Sequence, residues 1–201
     1  MKNKVKKITL PNKWNEEESI DAVFIGRGAF ATCYRVDSIV YSFVNTSGRH
    51  VDLSKEAVAY FTDEENIHIP KIEKLGDYDK GVKDYGIIFK MPYYEKLTAS
   101  HKIAWNQYKT LKSAWYKANK KDSESWFDFN CHIIESLRGN ISESIIDALE
   151  SINNACTNYS LDYKFEFPTA NLKVDSSGNL ILLDVIFNVK ALVEKRTKNR
   201  I

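Results

Sequence analysis

A change of hydrophobic period near residue 98 constrains the fold of this chain more than any other feature. Before it, short β-branched and aromatic runs alternate with turn residues, the pattern of strands. Ile20 to Ile25, Ala31 to Val36 and Ser38 to Val44 read as two or three antiparallel strands. Asn45-Thr46-Ser47-Gly48 reads as a turn. Ser54 then caps a helix with Ala57, Val58 and Phe61 on its apolar side, expected to stop near Asn66 because Pro70 follows. Lys71 to Leu75 and Gly86 to Met91 complete a five-stranded, one-helix unit, with a charged turn at Gly76–Gly81 between them.

After residue 98, apolar residues recur every three or four positions, the spacing of one helix face. Ala104, Tyr108, Leu111, Trp115 and Ala118 define a first helix, and Trp126, Phe129, Ile133 and Leu137 a second. Ser142 caps a third, with Ile145, Leu149, Ile152 and Cys156 inward. These aromatic stripes are packing. Extended structure then returns: Asn171 to Val174 and Leu180 to Leu183 flank Asp175-Ser176-Ser177-Gly178-Asn179, a strong hairpin signal read as a type I′-like turn. The basic run Lys195 to Arg200 reads as a solvated end.

Composition removes several chemistries. Lys+Arg 29 against Asp+Glu 27 leaves a net charge of +2, so no overall field draws the chain to nucleic acid or anionic lipid. The lysines Lys109, Lys112, Lys117, Lys120 and Lys121, with Trp115 and Tyr116 nearby, read as a solvated face, and nucleic acid is not expected as a partner. No apolar run reaches the ~18 residues of a membrane span, and no apolar core follows the basic N-terminus, so neither membrane nor secretion is expected. The three cysteines (Cys33, Cys131, Cys156) and four histidines (His50, His68, His101, His132) are scattered without ligand spacing. That pattern favours a reducing cytoplasm over a disulfide framework or zinc site.

Two segments remain for chemistry. Gly26-Arg27-Gly28-Ala29-Phe30-Ala31-Thr32-Cys33-Tyr34 places two glycines between strands, where bare backbone N–H groups can approach a phosphate. A strand follows, not a helix, which disfavours Rossmann and Walker turns. In the late hairpin, Asn171 and Asp184 fall near the same end, an amide oxygen beside a carboxylate that suits Mg²⁺. Glu166 stands in the loop leading into it.

Taken together, residues 20 to 190 resemble the protein-kinase fold. Gly26-x-Gly28-x-Phe30-x-x-x-Tyr34 is similar to the kinase glycine-rich loop, with Ala31 at the third glycine and Cys33 at the valine. Glu56 lies on the one N-lobe helix, where the family keeps a glutamate. Ile87-Ile88-Phe89-Lys90-Met91-Pro92-Tyr93 resembles the fifth strand running into the adenine-holding hinge. Glu166 to Asn171 has the D-x-x-x-x-N spacing of the catalytic loop, with Glu for Asp, and Asp184-Val185-Ile186 stands where D-F-G is expected. The proportions are closest to the compact early protein kinases of T7-like phages. The resemblance implies an α+β, bilobal fold: a five-stranded N-lobe with one helix (about 15–92), and a truncated helical C-lobe with the catalytic-loop hairpin (about 93–195).

It further implies a Ser/Thr kinase that uses ATP and Mg²⁺ on proteins of the infected host, in its cytoplasm. Gly26, Gly28, Phe30, Cys33, Ser42, Glu56, Phe89 and Met91 would surround the nucleotide, Asn171 and Asp184 would hold the metal, and Glu166 would orient the acceptor hydroxyl. One departure stands out. Aligning Ile39-Val40-Tyr41-Ser42 with the family's V-A-I-K puts Ser42 at the phosphate-binding lysine, and no lysine lies between Lys13 and Lys55. Arg27 or Arg35 would have to replace it. Without a replacement, the alternative is a catalytically inactive pseudokinase that occupies a host protein. A small-molecule phosphotransferase of the aminoglycoside-kinase type ranks lower, because no acidic cluster follows Glu166.

Overall fold

The computed structural model describes residues 4–11, 17–46, 52–61, 65–79, 85–120, 123, 125–159 and 162–198. It is α+β: a six-stranded antiparallel sheet, then helices and two small sheets. The chain separates into two compact units. One comprises Met1–Asp52, Lys71–Tyr93 and Ala191–Ile201, the other Leu53–Pro70 and Tyr94–Lys190.

The first unit is built on β1 (Val5–Pro11), β2 (Glu17–Arg27), β3 (Ala31–Val36), β4 (Ile39–Asn45), β5 (Glu73–Asp79) and β6 (Tyr85–Pro92), in the sheet order β1-β2-β3-β4-β6-β5. Five strands were expected, and β1 is the sixth. Its lysines obscure the alternation, yet Ile8 and Leu10, two residues apart, both point inward, and Ile8 pairs with Ile20 of β2. The expected turn at Gly76–Gly81 is also corrected, since Gly76–Asp79 continue β5 in register with β6; residues 80–84, and Ser47 and Gly48 of the expected earlier turn, lie outside the described residues.

This sheet curls until the edge strands β1 and β5 approach each other, giving a half-barrel. Its inner face buries Ile8, Leu10, Ala22, Phe43 and Ile88, with Tyr34, Tyr41 and Tyr78 packed against them. Tyr34, Phe43 and Tyr78 meet edge-to-face at 5.7 and 5.6 Å. Gly86 is required by close packing: a Cβ there would sit 1.9 Å from the Val44 carbonyl oxygen.

The second unit contains α1 (Ser54–Phe61), β7 (Glu95–Lys96), α2 (Lys102–Ala118), α3 (Trp126–Leu137), α4 (Glu143–Thr157), β8 (Tyr163–Phe165), β9 (Leu172–Val174), β10 (Leu180–Leu182) and β11 (Ile186–Asn188). The helices fall where the periodicity places them. Ala104, Tyr108, Leu111 and Ala118 of α2, Phe129, Ile133 and Leu137 of α3, and Ile145, Leu149, Ile152 and Cys156 of α4 are all buried. Ser125 caps α3, accepting from the Asp128 amide at 3.1 Å and donating to its carboxylate at 2.7 Å. α1 packs against α4, and the residues after Asn66 are tied to both α4 and β10 by His68, which bonds the Leu180 carbonyl at 2.7 Å and Ser144 Oγ at 3.1 Å.

The short strands form two sheets, β10-β9-β7 and β11-β8, of which β8 and β11 were not anticipated. Three residues each give too little periodicity to read. Buried Asn130 of α3 holds β8 in place, donating to Asn153 Oδ1 and the Tyr163 carbonyl and accepting from the Phe165 amide at 2.9 Å. The chain ends in α5 (Val189–Lys198), whose Ala191 is buried while Arg196 and Thr197, within the expected solvated basic end, are exposed; residues 199–200 of that end lie outside the described residues.

Candidate functional site

The late hairpin supplies the core of the site. Leu172 pairs with Leu182 and Val174 with Leu180, so Asn171 and Asp184 emerge at one end, where the Asp184 amide donates to the Asn171 carbonyl at 3.2 Å. The connecting loop is five residues, Asp175 to Asn179, rather than the expected type I′-like turn. The Asp175 side chain organises it by accepting from the amides of Ser177 and Asn179 and from Asn179 Nδ2, at 2.8 to 2.9 Å. Burial pushes the Asp175 carboxyl up, and these hydrogen bonds outweigh it, leaving it below the ordinary carboxylate value. Gly178 takes φ +88°, which the loop requires of a residue without Cβ.

Asn171 ties three predicted residues together. Its Nδ2 donates to the Asp184 carbonyl at 2.6 Å and to Glu166 Oε1 at 3.3 Å. The Glu166 amide in turn donates to the Val185 carbonyl at 2.8 Å. With Nδ2 committed in this way, Asn171 keeps Oδ1, an acceptor, for other partners.

A fourth side chain joins them that sequence reasoning passed over. Lys55, in the first turn of α1, places Nζ 3.0 Å from Asp184 Oδ1. The Lys55 side chain is 11% exposed and that of Asp184 46%, so a nearly buried ammonium meets a half-open carboxylate. The available signal was position: Lys55 is the one lysine between Lys13 and Lys71, and it directly precedes Glu56. Glu56 itself is half-buried on the same helix.

The remaining predicted residues belong to the first unit. Cys33, Ser42 and Phe89 are consecutive register partners across β3, β4 and β6, and therefore line one face; Val40 and Met91 pair two residues further on. Ser42 is fully buried, and Cys33 Sγ lies 3.6 Å from its Oγ. Phe89 and Met91 are also buried. Arg35 lies on the same face of β3, with its guanidinium 4.5 Å from the centre of the Tyr93 ring.

In the glycine turn, the Gly28 amide donates to the Ala31 carbonyl at 2.8 Å and the Phe30 carbonyl accepts from the Asn45 amide at 2.8 Å. Neither Gly26 nor Gly28 has positive φ, and a Cβ would meet nothing within 4 Å at Gly26 and only the Ala31 carbonyl, at 3.9 Å, at Gly28. Backbone strain therefore does not explain these glycines. A cleft of about 170 Å³ opens beside the turn, lined among others by Lys7, Arg27, Gly28, Thr32 and Asn45. It also borders Tyr34, Phe43 and Tyr78, so it opens on the curled-in face, opposite Ser42.

Among the described residues, no group of three or more His, Cys, Asp or Glu side chains is placed to hold a metal ion. The cluster of Asp184, Asn171 and Glu166 nevertheless offers hard oxygen donors. That set fits Mg²⁺, which usually takes one or two carboxylates and draws further ligands from phosphates and water. Among the described residues, no helix is long and apolar enough to cross a membrane.

Comparison with known proteins adds no relative: no protein-family model, curated protein or solved structure matches the chain.

Proposed function

We propose that this chain is a minimal ATP-dependent Ser/Thr protein kinase in which Lys55, on a helix, supplies the cation that Ser42 does not. The observation that carries this reading is the ion pair between Lys55 and Asp184, within a cluster that includes Asn171 and Glu166. An ammonium beside a carboxylate and an amide oxygen is the donor set that a metal-bound triphosphate requires: oxygen ligands for Mg²⁺, and a positive charge for phosphate oxygens.

In this reading Asp184 and Asn171 Oδ1 would hold Mg²⁺, which would supply positive charge to the phosphates. Lys55 turns its ammonium from Asp184 towards the phosphate oxygens. Glu166 accepts the proton of the acceptor hydroxyl as that oxygen bonds to the γ-phosphorus, while the bond to the ADP oxygen breaks. The hydrogen bond from Asn171 fixes the Glu166 carboxylate, compensating in orientation for its extra methylene relative to aspartate. The compact phage kinases that the sequence resembles give the rest: host proteins as acceptors, in the host cytoplasm.

The pseudokinase reading rests on a different observation. Ser42 is fully buried beside Cys33, so the strand position where the resemblance expects the lysine carries no charge. The two readings separate in one experiment, incubation of the full chain with Mg²⁺ and [γ-³²P]ATP in host lysate. The kinase reading expects label on protein that disappears with Asp184→Ala. Labelling that persists in Asp184→Ala would overturn the site, and none with the native chain would favour the pseudokinase.

A further inference from the structure

The outward side of α2 carries charge that the net composition conceals. Residues 102–121 hold six lysines and no carboxylate, in a chain of net charge +2. Lys109, Lys112, Lys117 and Lys120 line one groove together with Ser113 and Tyr116. This side faces away from the buried Ala104, Leu111, Ala114 and Ala118.

Among the described residues, none of these four lysines forms an ion pair, whereas Lys55, Lys74, Lys90, Lys190 and Arg138 all do. Lys109 and Lys112 stand three positions apart on this side of α2, a like-charge spacing that brings the helix no stabilising pair. At the centre of the groove Tyr116 is 54% exposed, with Lys112 Nζ 5.9 Å from its ring centre and 5.6 Å from that of Tyr108. The contact with Tyr108 raises the Lys112 ammonium above its ordinary value.

Ammoniums without carboxylate partners around a half-exposed phenol ring match one class of polyanion. A single-stranded nucleic acid presents phosphates to the cations and an unstacked base to the ring. A duplex keeps its bases stacked, and an acidic peptide leaves the ring unused. We propose that this face of α2 binds single-stranded nucleic acid, in contrast to the solvated face expected from the sequence. The inference does not depend on the phosphotransfer chemistry proposed above.

Fluorescence anisotropy of the full chain with a labelled single-stranded 12-mer, RNA or DNA, tests it, with a duplex of the same length and labelled polyglutamate as comparisons. The expected result is preferential single-strand binding whose log affinity falls with log salt at a slope of about −3, from four lysines at ~0.7 each. The triple change Lys109→Glu, Lys117→Glu and Lys120→Glu should weaken binding at least tenfold. Tyr116→Ala should weaken it at least fivefold and Tyr116→Phe leave it unchanged, all without altering the melting temperature. Binding that is absent at 50 mM salt, equally tight for duplex or polyglutamate, or insensitive to Tyr116→Ala would overturn the proposal.

Discussion

The ammonium of Lys55 lies 3.0 Å from the carboxylate of Asp184, 129 residues further along the chain. This pairing links the first turn of a short helix to the residue that follows the late hairpin. It brings a positive charge to the position where the proposed chemistry needs one. Asp184→Asn should therefore abolish phosphotransfer while lowering stability by only about 1 kcal/mol, because the carboxylate is half-exposed. Lys55→Met should reduce transfer by at least tenfold. Steady-state kinetics alongside urea unfolding would measure both, and full activity in Lys55→Met would remove the lysine from the site.

Glu166 and Asn171 should differ in what they contribute. Glu166→Gln keeps an acceptor oxygen for Asn171 but removes the base, so kcat should fall by about 10²-fold or more with little change in KM for ATP. Asn171→Ala loses the bonds to both Glu166 and the Asp184 carbonyl, and should also raise KM for the metal nucleotide. A Glu166→Gln enzyme with unchanged kcat would eliminate the base.

The glycines of the turn can be separated from their neighbours by simple substitution. Gly26→Ala faces open space and Gly28→Ala only an ordinary contact with the Ala31 carbonyl, both without positive φ, so the melting temperature should hold within about 2 °C. Gly86→Ala drives a methyl into the Val44 carbonyl and should unfold the half-barrel. If Gly28→Ala leaves both stability and phosphotransfer untouched, the turn has no part in binding phosphates.

His68 gives the second unit a defined acid sensitivity. Burial pushes its imidazole below the ordinary value of 6.5, opposed by the Leu180 carbonyl and Asp175. Below pH 6.5 the unfolded chain takes up a proton that the folded chain refuses, so stability falls with pH from there down to the lowered folded value. Above 6.5 both states are neutral and the contribution is flat. His68→Asn, which preserves a donor for Leu180, should remove this slope in urea unfolding at pH 7.5 and 5.5. An identical slope in that variant would assign the sensitivity elsewhere.

Asn130 supplies a stability test free of any functional assumption. Asn130→Leu strands the Tyr163 carbonyl and the Phe165 amide in the core, which should cost roughly 2–6 kcal/mol at ~1–3 kcal/mol for each unsatisfied group. Chemical denaturation measures it directly, and a loss below 1 kcal/mol would mean that water or a shifted backbone replaces the amide.

The parts of this structure with repeated periodicity could be read from the sequence. The three long helices and the strands β3, β4 and β6 themselves follow from spacing alone, as does the convergence of Asn171 and Asp184 at one hairpin end, whereas the pairing of β4 with β6 came only with the structure. β1 was hidden because Lys6 and Lys7 interrupt its apolar pattern, and β8 and β11 because three residues carry none. Lys55 was missed for a different reason. Aligning Ser42 with the family lysine directs attention to the strand, whereas charge reaches Asp184 from a helix, by a contact across 129 residues that no local pattern encodes.

The central claim is that Lys55 and Asp184 together bind a metal nucleotide, and calorimetric titration of Mg²⁺-ATP tests it most directly. The native chain should bind, and Lys55→Met and Asp184→Asn should each bind at least tenfold more weakly, with circular dichroism confirming that both remain folded. No binding by the native chain, or equal affinity in all three proteins, would contradict the account.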